Sequence, residues 1–247
     1  MRAYDGRLFR LHAHLDRLYA SANYLGVRVS LTPDQLGQRL RQALRRSGLR
    51  EAVVRVALFP DAGRVAAPSV VVQPAQPPSV SMYRRGIRVA IVPTRKFPVS
   101  QIDPQAKFSA RLGSVMAVME AQLRGADEAI FLDGMGYVTE STASNLGMVK
   151  DGRVFSPPCW LGLLAGITWQ AVMQVARAFQ MPISDVPLTR HDLYNADEVF
   201  LSRTLKEVLG VSRVDGRLIG TGSPGPHTKR LLQEFRALVR REVRSHS

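Results

Sequence analysis

Three short stretches in the middle of the chain hold residue types that could do chemistry. Lys107 stands in the charge-poor run Ala106-Lys107-Phe108, just ahead of a helical pattern. Desolvation there would favour the neutral, nucleophilic amine, although a solvated surface lysine has the same signature. Glu140 follows the strand-like Tyr137-Val138-Thr139 and precedes Ser141-Thr142-Ala143-Ser144. A carboxylate so placed suits acid–base work or, equally, the capping of a turn. Ala165-Gly166-Ile167-Thr168 opens a helix with a glycine, which leaves first-turn backbone N–H groups for an anion or simply starts a helix. Taken separately, none of the three defines a function.

The elements that must position these residues follow from periodicity. Leu11, Leu15, Leu18, Tyr19 and Ala22 recur at helical spacing and are closed by Gly26, and a second helix runs from Thr32 to Gly48 after a Thr-Pro-Asp start. EAVVRVALFP, PSVVVQ and GIRVAIVPT read as strands, with PAQPPSVSMYRRG as a Pro-rich crossing segment between them. A helical pattern over Ser109 to Arg124 leads into the short strands AIFLD, YVTE, NLGMVK and RVFSP, joined by DGMG and KDG turns. A strong helix follows Gly166, EVFLSR is a buried-type strand, and Thr228 to Glu242 forms a terminal amphipathic helix. The fold class is α+β, with a boundary near residues 100 to 125.

Composition narrows the function classes. The net charge of +14 comes from 34 basic and 20 acidic residues. Five of the basic residues are lysines (96, 107, 150, 206 and 229), and the arginines are spread over most segments. The densest clusters, Arg41, Arg45, Arg46 and Arg50, and Arg240, Arg241 and Arg244, lack the interleaved aromatics of a base-stacking platform, so no nucleic-acid partner is expected. No run of eighteen uncharged apolar residues occurs and MRAYDGRLFR lacks an apolar leader, so the expectation is a cytoplasmic protein without a membrane partner. Cys159 is the only cysteine and is assigned no chemistry; His191 and His227 are isolated, so no metal site is expected.

The order of these pieces resembles the class IV (fold type IV) pyridoxal-phosphate (PLP) aminotransferases over nearly the whole chain, most closely those acting on branched-chain amino acids. The resemblance runs through YDGRLFRLHAHLDRLYASA, DPQAK, MEAQLRGADEAIFLDGMGYVTESTASN, KDGRVFSPP, LLAGIT, DLYNADEVFLSRTLKEV and VDGRLIGTGSPGPHTKRL. It implies a small α/β domain over residues 1–112 and a larger, hairpin-rich pseudo-barrel over 113–247 that binds PLP. It implies that Lys107 carries the cofactor as a Schiff base and shuttles a proton, and that Glu140 keeps the pyridine nitrogen protonated. Arg17, the backbone N–H groups of Ile167 and Thr168, and Thr204 would hold the phosphate. Asn145 would support the Glu140 turn. The family also has a histidine at the place of His14, where packing near Arg17 is expected.

The implied reaction is a ping-pong transamination between an amino acid, expected to be branched-chain, and a 2-oxo acid, in a homodimer serving amino-acid metabolism. D-amino-acid aminotransferase, aminodeoxychorismate lyase and a non-catalytic homologue share the same outline. Several positions depart from the family pattern. Met1 falls inside the run that follows a Gly-Val-Phe-Glu-like strand, so the small domain is expected to lack its first strands and to expose a sheet edge. Arg111 stands where some relatives place a tyrosine, Trp169 ends the usual Gly-Ile-Thr-Arg, and Arg203 replaces a glycine before Thr204.

Overall fold

The computed structural model describes residues 1–244 and divides into two compact units that are not contiguous in sequence. Of the described residues, 1–77, 106–108 and 237–244 make up the first; residues 78–105 and 109–236 make up the second.

The first unit begins with strands β1 (Arg2–Tyr4) and β2 (Arg7–Leu8), helix α1 (Leu11–Tyr24), strand β3 (Arg28–Val29), helix α2 (Pro33–Ser47) and the long hairpin of β4 (Ala52–Pro60) and β5 (Val65–Pro74). Its five strands are ordered β2-β1-β4-β5-β3. The Thr-Pro-Asp start of α2 works as its sequence suggests. Thr32 accepts from the Gln35 N–H, Gln35 accepts from the Thr32 N–H, and Pro33 occupies the first turn, where its missing donor costs nothing. Leu36, Leu40 and Leu44 repeat every fourth residue, and this stripe buries against Leu11 and Leu15 of α1 and Ala52 and Val54 of β4.

The second unit contains α3 (Val80–Arg85), β6 (Ile87–Arg95), α4 (Leu112–Leu123), β7 (Glu128–Leu132), β8 (Val138–Ser141), β9 (Asn145–Lys150), β10 (Arg153–Ser156), α5 (Ile167–Ala178), β11 (Ile183–Asp185), α6 (Arg190–Tyr194), β12 (Glu198–Arg203), β13 (Glu207–Val214) and β14 (Arg217–Leu218). Helix α7 (Pro226–Arg244) starts in this unit and ends in the first. The sheet runs β11-β10-β9-β12-β13-β6-β7-β8, with β14 added on β13. The β6–β7, β6–β13 and β10–β11 pairs are parallel and the others antiparallel. Every residue of β7, β8 and β12 but the last of β12 is buried, so both faces of the sheet are covered there, and the polar Thr139, Glu140 and Ser141 of β8 lie inside.

The Asp-Gly turns behave as local chemistry dictates. Asp151-Gly152 and Asp215-Gly216 each place two consecutive residues at positive φ, the twist that joins antiparallel strands in two-residue hairpins. At the head of α7, the buried Glu198 carboxylate accepts from the N–H groups of His227 (2.9 Å) and Thr228 (2.7 Å) and lies 3.0 Å from His227 Nδ1, so His227 belongs to a helix cap. The segment read as a Pro-rich crossing ends in α3, where the Ser79 hydroxyl caps the Met82 N–H; the prolines before it hide that start. Among the described residues no helix is long and apolar enough to cross a membrane.

Candidate active site

In the first unit, Lys107 follows the buried Ala106 and its side chain is exposed. Its backbone N–H donates to Ser21 Oγ (3.0 Å), and the same hydroxyl donates to the carbonyl of Arg17 (2.7 Å). The main chain of the candidate nucleophile is thus pinned to α1, one turn from Arg17. Positive charge concentrates here. Burial first, then Arg17, Lys107 and Arg55, bring the Met1 amino group down to about 5. Arg55 was not singled out from the sequence; its signal is a lone charge inside the apolar run of β4. A surface carrying Arg17, Arg55 and Lys107 suits phosphate and carboxylate groups.

His14 shares these surroundings. Burial, then the Met1 amino group, Arg17 and Lys107, hold its pKa well below the ordinary 6.5. The unfolded chain therefore takes up a proton at higher pH than the folded chain. Stability is complete above pH 6.5 and falls as pH drops toward the folded value. His14→Gln is expected to flatten this acid slope in urea unfolding curves recorded at a series of pH values. An unchanged slope would remove His14 as its source.

In the second unit, Glu140 sits on β8, 8% exposed. Its Oε1 is ion-paired with Lys96 Nζ and its Oε2 accepts from the Leu164 N–H (3.4 Å). Asn145 Nδ2 donates to the carbonyl of that same Leu164 (2.8 Å), so one residue joins the asparagine to the glutamate. Lys96 follows β6 at once and was not recognised in the sequence, because nothing local marks a lysine whose partner is Glu140.

Ile167 and Thr168 are both buried at the head of α5. Gly166 precedes them and offers no capping side chain, so the first turn of α5 has no side-chain cap, as a helix start open to an anion requires. A Cβ on Gly166 would come 1.9 Å from Asn145 Oδ1, so this cradle requires glycine. Thr204 lies in the turn between β12 and β13, and two residues before it the buried Ser202 hydroxyl lacks a hydrogen-bond partner among the described groups. A glycine-lined helix start, an orphaned buried hydroxyl and a buried carboxylate fit a cofactor that has a phosphate at one end and a basic ring nitrogen at the other.

The substituted positions find partners of their own. Arg111 Nη2 donates to the carbonyl of Thr142 (2.6 Å), two residues after Glu140. Trp169 stacks on Phe200 with ring centres 5.8 Å apart and planes 21° apart. Gly147 makes room for that stack, since a Cβ there would lie 2.5 Å from Phe200 and 2.8 Å from Trp169. Arg203 is half-buried at the end of β12, opposite Glu207. Among the described residues no group of histidine, cysteine and carboxylate side chains could hold a metal ion.

The sequence model of the family described as amino-transferase class IV matches residues 1–214. A putative branched-chain-amino-acid aminotransferase of Methanocaldococcus jannaschii is 36% identical over 242 residues, which span 96% of this chain and 84% of that protein. The branched-chain-amino-acid aminotransferase of Pseudomonas aeruginosa is 32% identical, covering all of this chain and 85% of its own. Among solved structures, the Escherichia coli branched-chain amino acid aminotransferase superposes with a TM-score of 0.91 at 32% identity, over 96% of this chain and 83% of that one. A bacterial enzyme of the same name, solved with pyridoxamine 5'-phosphate, superposes equally well, with a TM-score of 0.91. This architecture is that of the fold type IV PLP enzymes. The chain belongs to the class IV aminotransferases, whose cofactor is pyridoxal 5'-phosphate.

Proposed function

We propose that this protein transfers the amino group of a branched-chain L-amino acid to a 2-oxo acid such as 2-oxoglutarate, as a cytoplasmic homodimer. The observation that carries this reading is the buried Glu140 beside a glycine-built anion cradle, in a chain similar over 96% of its length to a putative branched-chain aminotransferase. Bound PLP supplies an electron sink for the substrate's Cα electrons. In the first unit, Arg17 grips the phosphate with its guanidinium fork, while the Lys107 amine anchors the cofactor and moves the proton at the substrate Cα. In the second unit, the N–H groups of Ile167 and Thr168 and the Thr204 turn are donors suited to a phosphate. The Glu140 carboxylate holds a proton at the ring nitrogen, and the Lys96 ammonium and Leu164 N–H orient that carboxylate.

Helix α4 supports the homodimer. It buries Ala117 and Ala121 against β6 and β7 and leaves Leu112, Val115, Met116, Met119 and Leu123 between 49% and 88% exposed. An apolar stripe of this kind on a protein surface marks an association site. Light scattering should give twice the chain mass, and a monomer would exclude the proposal.

Product spectra with L-amino acids, D-amino acids and aminodeoxychorismate test the reaction. Glutamate formed from 2-oxoglutarate with L-leucine, L-isoleucine or L-valine is the expected result. Turnover confined to D-amino acids, or pyruvate released from aminodeoxychorismate, would replace it with a different reaction on the same fold.

A further inference from the structure

Lys206 does not point its charge into solvent. It closes the turn Thr204-Leu205-Lys206 between β12 and β13, and its ammonium is ion-paired with Glu128 at the start of β7; the two side chains are 17% and 7% exposed. The other oxygen of Glu128 accepts from the Thr142 hydroxyl, in the turn that follows Glu140. One buried carboxylate therefore ties together the turn containing Thr204 and the turn behind Glu140.

Both turns are braced again from outside this contact. The Lys206 carbonyl accepts from Tyr83 Oη (3.1 Å), and the Arg236 guanidinium lies 4.9 Å above the Tyr83 ring. Arg236 Nε also donates to Glu207 (2.7 Å), the buried residue whose positive φ of 54° ends the turn. On the other side, Arg111 holds the Thr142 carbonyl. Burial pushes the Glu128 carboxyl up, but the attraction of Lys206 and the hydrogen bonds from Lys206, Thr142 and Ser141 outweigh it and keep it below its usual value. The network is thus charged and satisfied at neutral pH. A buried pair of this kind adds little net stability, because desolvation cancels much of the attraction; its stronger effect is to specify one arrangement.

We infer that Glu128 and Lys206 are positioning residues, which lock the Thr204 turn and the Glu140 turn to one carboxylate and so hold the segments gripping the two ends of PLP in a fixed register. The inference rests on the proposed roles of Thr204 and Glu140. Lys206→Met removes the cation paired with the carboxylate, and Thr142→Val removes the hydroxyl that donates to it; each loosens one turn from the other.

The test is the dissociation constant of PLP, measured by absorbance titration of the full-length apo protein at a temperature where circular dichroism shows each variant folded. Lys206→Met should weaken PLP about ten-fold or more and Thr142→Val about three-fold, within the coupling energies of contacting residues. Lys206→Arg should recover most of the loss, because it restores a cation to Glu128. Should Lys206→Met fail to fold, Thr142→Val and Lys206→Arg decide the matter. A purely structural role would lower the thermal midpoint of the apo variants and leave the dissociation constant within about two-fold of wild type, which would overturn the inference. Thr204→Val and Glu140→Gln serve as the reference arm. If they change PLP affinity or the pH response of its absorbance while Lys206→Met and Thr142→Val do not, the positioning role alone fails. If neither reference variant changes either property, the underlying site reading fails.

Discussion

Lys107→Ala is expected to remove the covalent hold on PLP that we propose for this lysine. Borohydride treatment of the wild-type holoenzyme is expected to add one reduced cofactor to the intact mass, and treatment of the variant to add none. Turnover should fall by about 10²–10⁴-fold from loss of the general base alone, and further from loss of the nucleophile. The backbone at this position is held through its N–H by Ser21, which is itself bonded to Arg17, so alanine leaves the local chain in place. The variant should therefore still bind PLP through its phosphate, with a free-aldehyde absorbance in place of the lysine-linked band. External methylamine should recover part of the rate, because it replaces the missing base. Undiminished transamination in Lys107→Ala would exclude this lysine from the chemistry.

Glu140→Ala has the second largest expected effect, a loss of about 10²–10³-fold in kcat, the usual size for removing one preorganised charge aimed at the reacting system. In the proposed site the ring nitrogen would lose its carboxylate partner, while the substrate contacts and therefore KM should change little. Alanine also leaves the Lys96 ammonium, whose side chain is 20% exposed, without its partner carboxylate. Glu140→Ala should thus be less stable than wild type, by the few kcal/mol typical of breaking one side of a buried pair. Glu140→Gln separates the two effects, since it keeps the size and the Leu164 contact and removes the charge. Its kcat should fall with a smaller loss of stability. An alanine variant with wild-type kcat would show that the ring nitrogen does not depend on this residue.

Part of the candidate site was legible because some of its signals are local. Lys107 in a charge-poor run, Glu140 after a strand and Gly166 ahead of a helix each stand in contexts spanning a few residues. Helix α2 announced itself by its Thr-Pro-Asp start and helical period, and the hairpins by Asp-Gly turns. Such patterns depend on backbone hydrogen bonding and side-chain sterics within one or two turns, so the linear chain suffices to read them.

Partners across the fold left no such mark. Lys96 pairs with Glu140, Lys206 with Glu128, and Ser21 with the Lys107 backbone, each joining residues far apart in sequence. Arg55 is one charge in an apolar strand until the Met1 amino group is found within its field. Arg111 and Trp169, which depart from the family pattern, acquire sense only from the Thr142 carbonyl and the Phe200 ring they meet.

The α+β class and the main succession of helices and hairpins are set along the linear chain, and the order of its motifs carries the resemblance to the PLP aminotransferases. Periodic burial and turn stereochemistry act over short distances, so no neighbour is needed to specify them. Only the tertiary structure decided which charges neutralise one another and how the chain divides, with residues 106–108 and the end of α7 counted in the unit built by the N-terminal segment. Those choices depend on which surfaces meet after collapse. A buried carboxylate such as Glu128 or Glu140 is tolerable only beside the particular cations that the folded sheet brings to it.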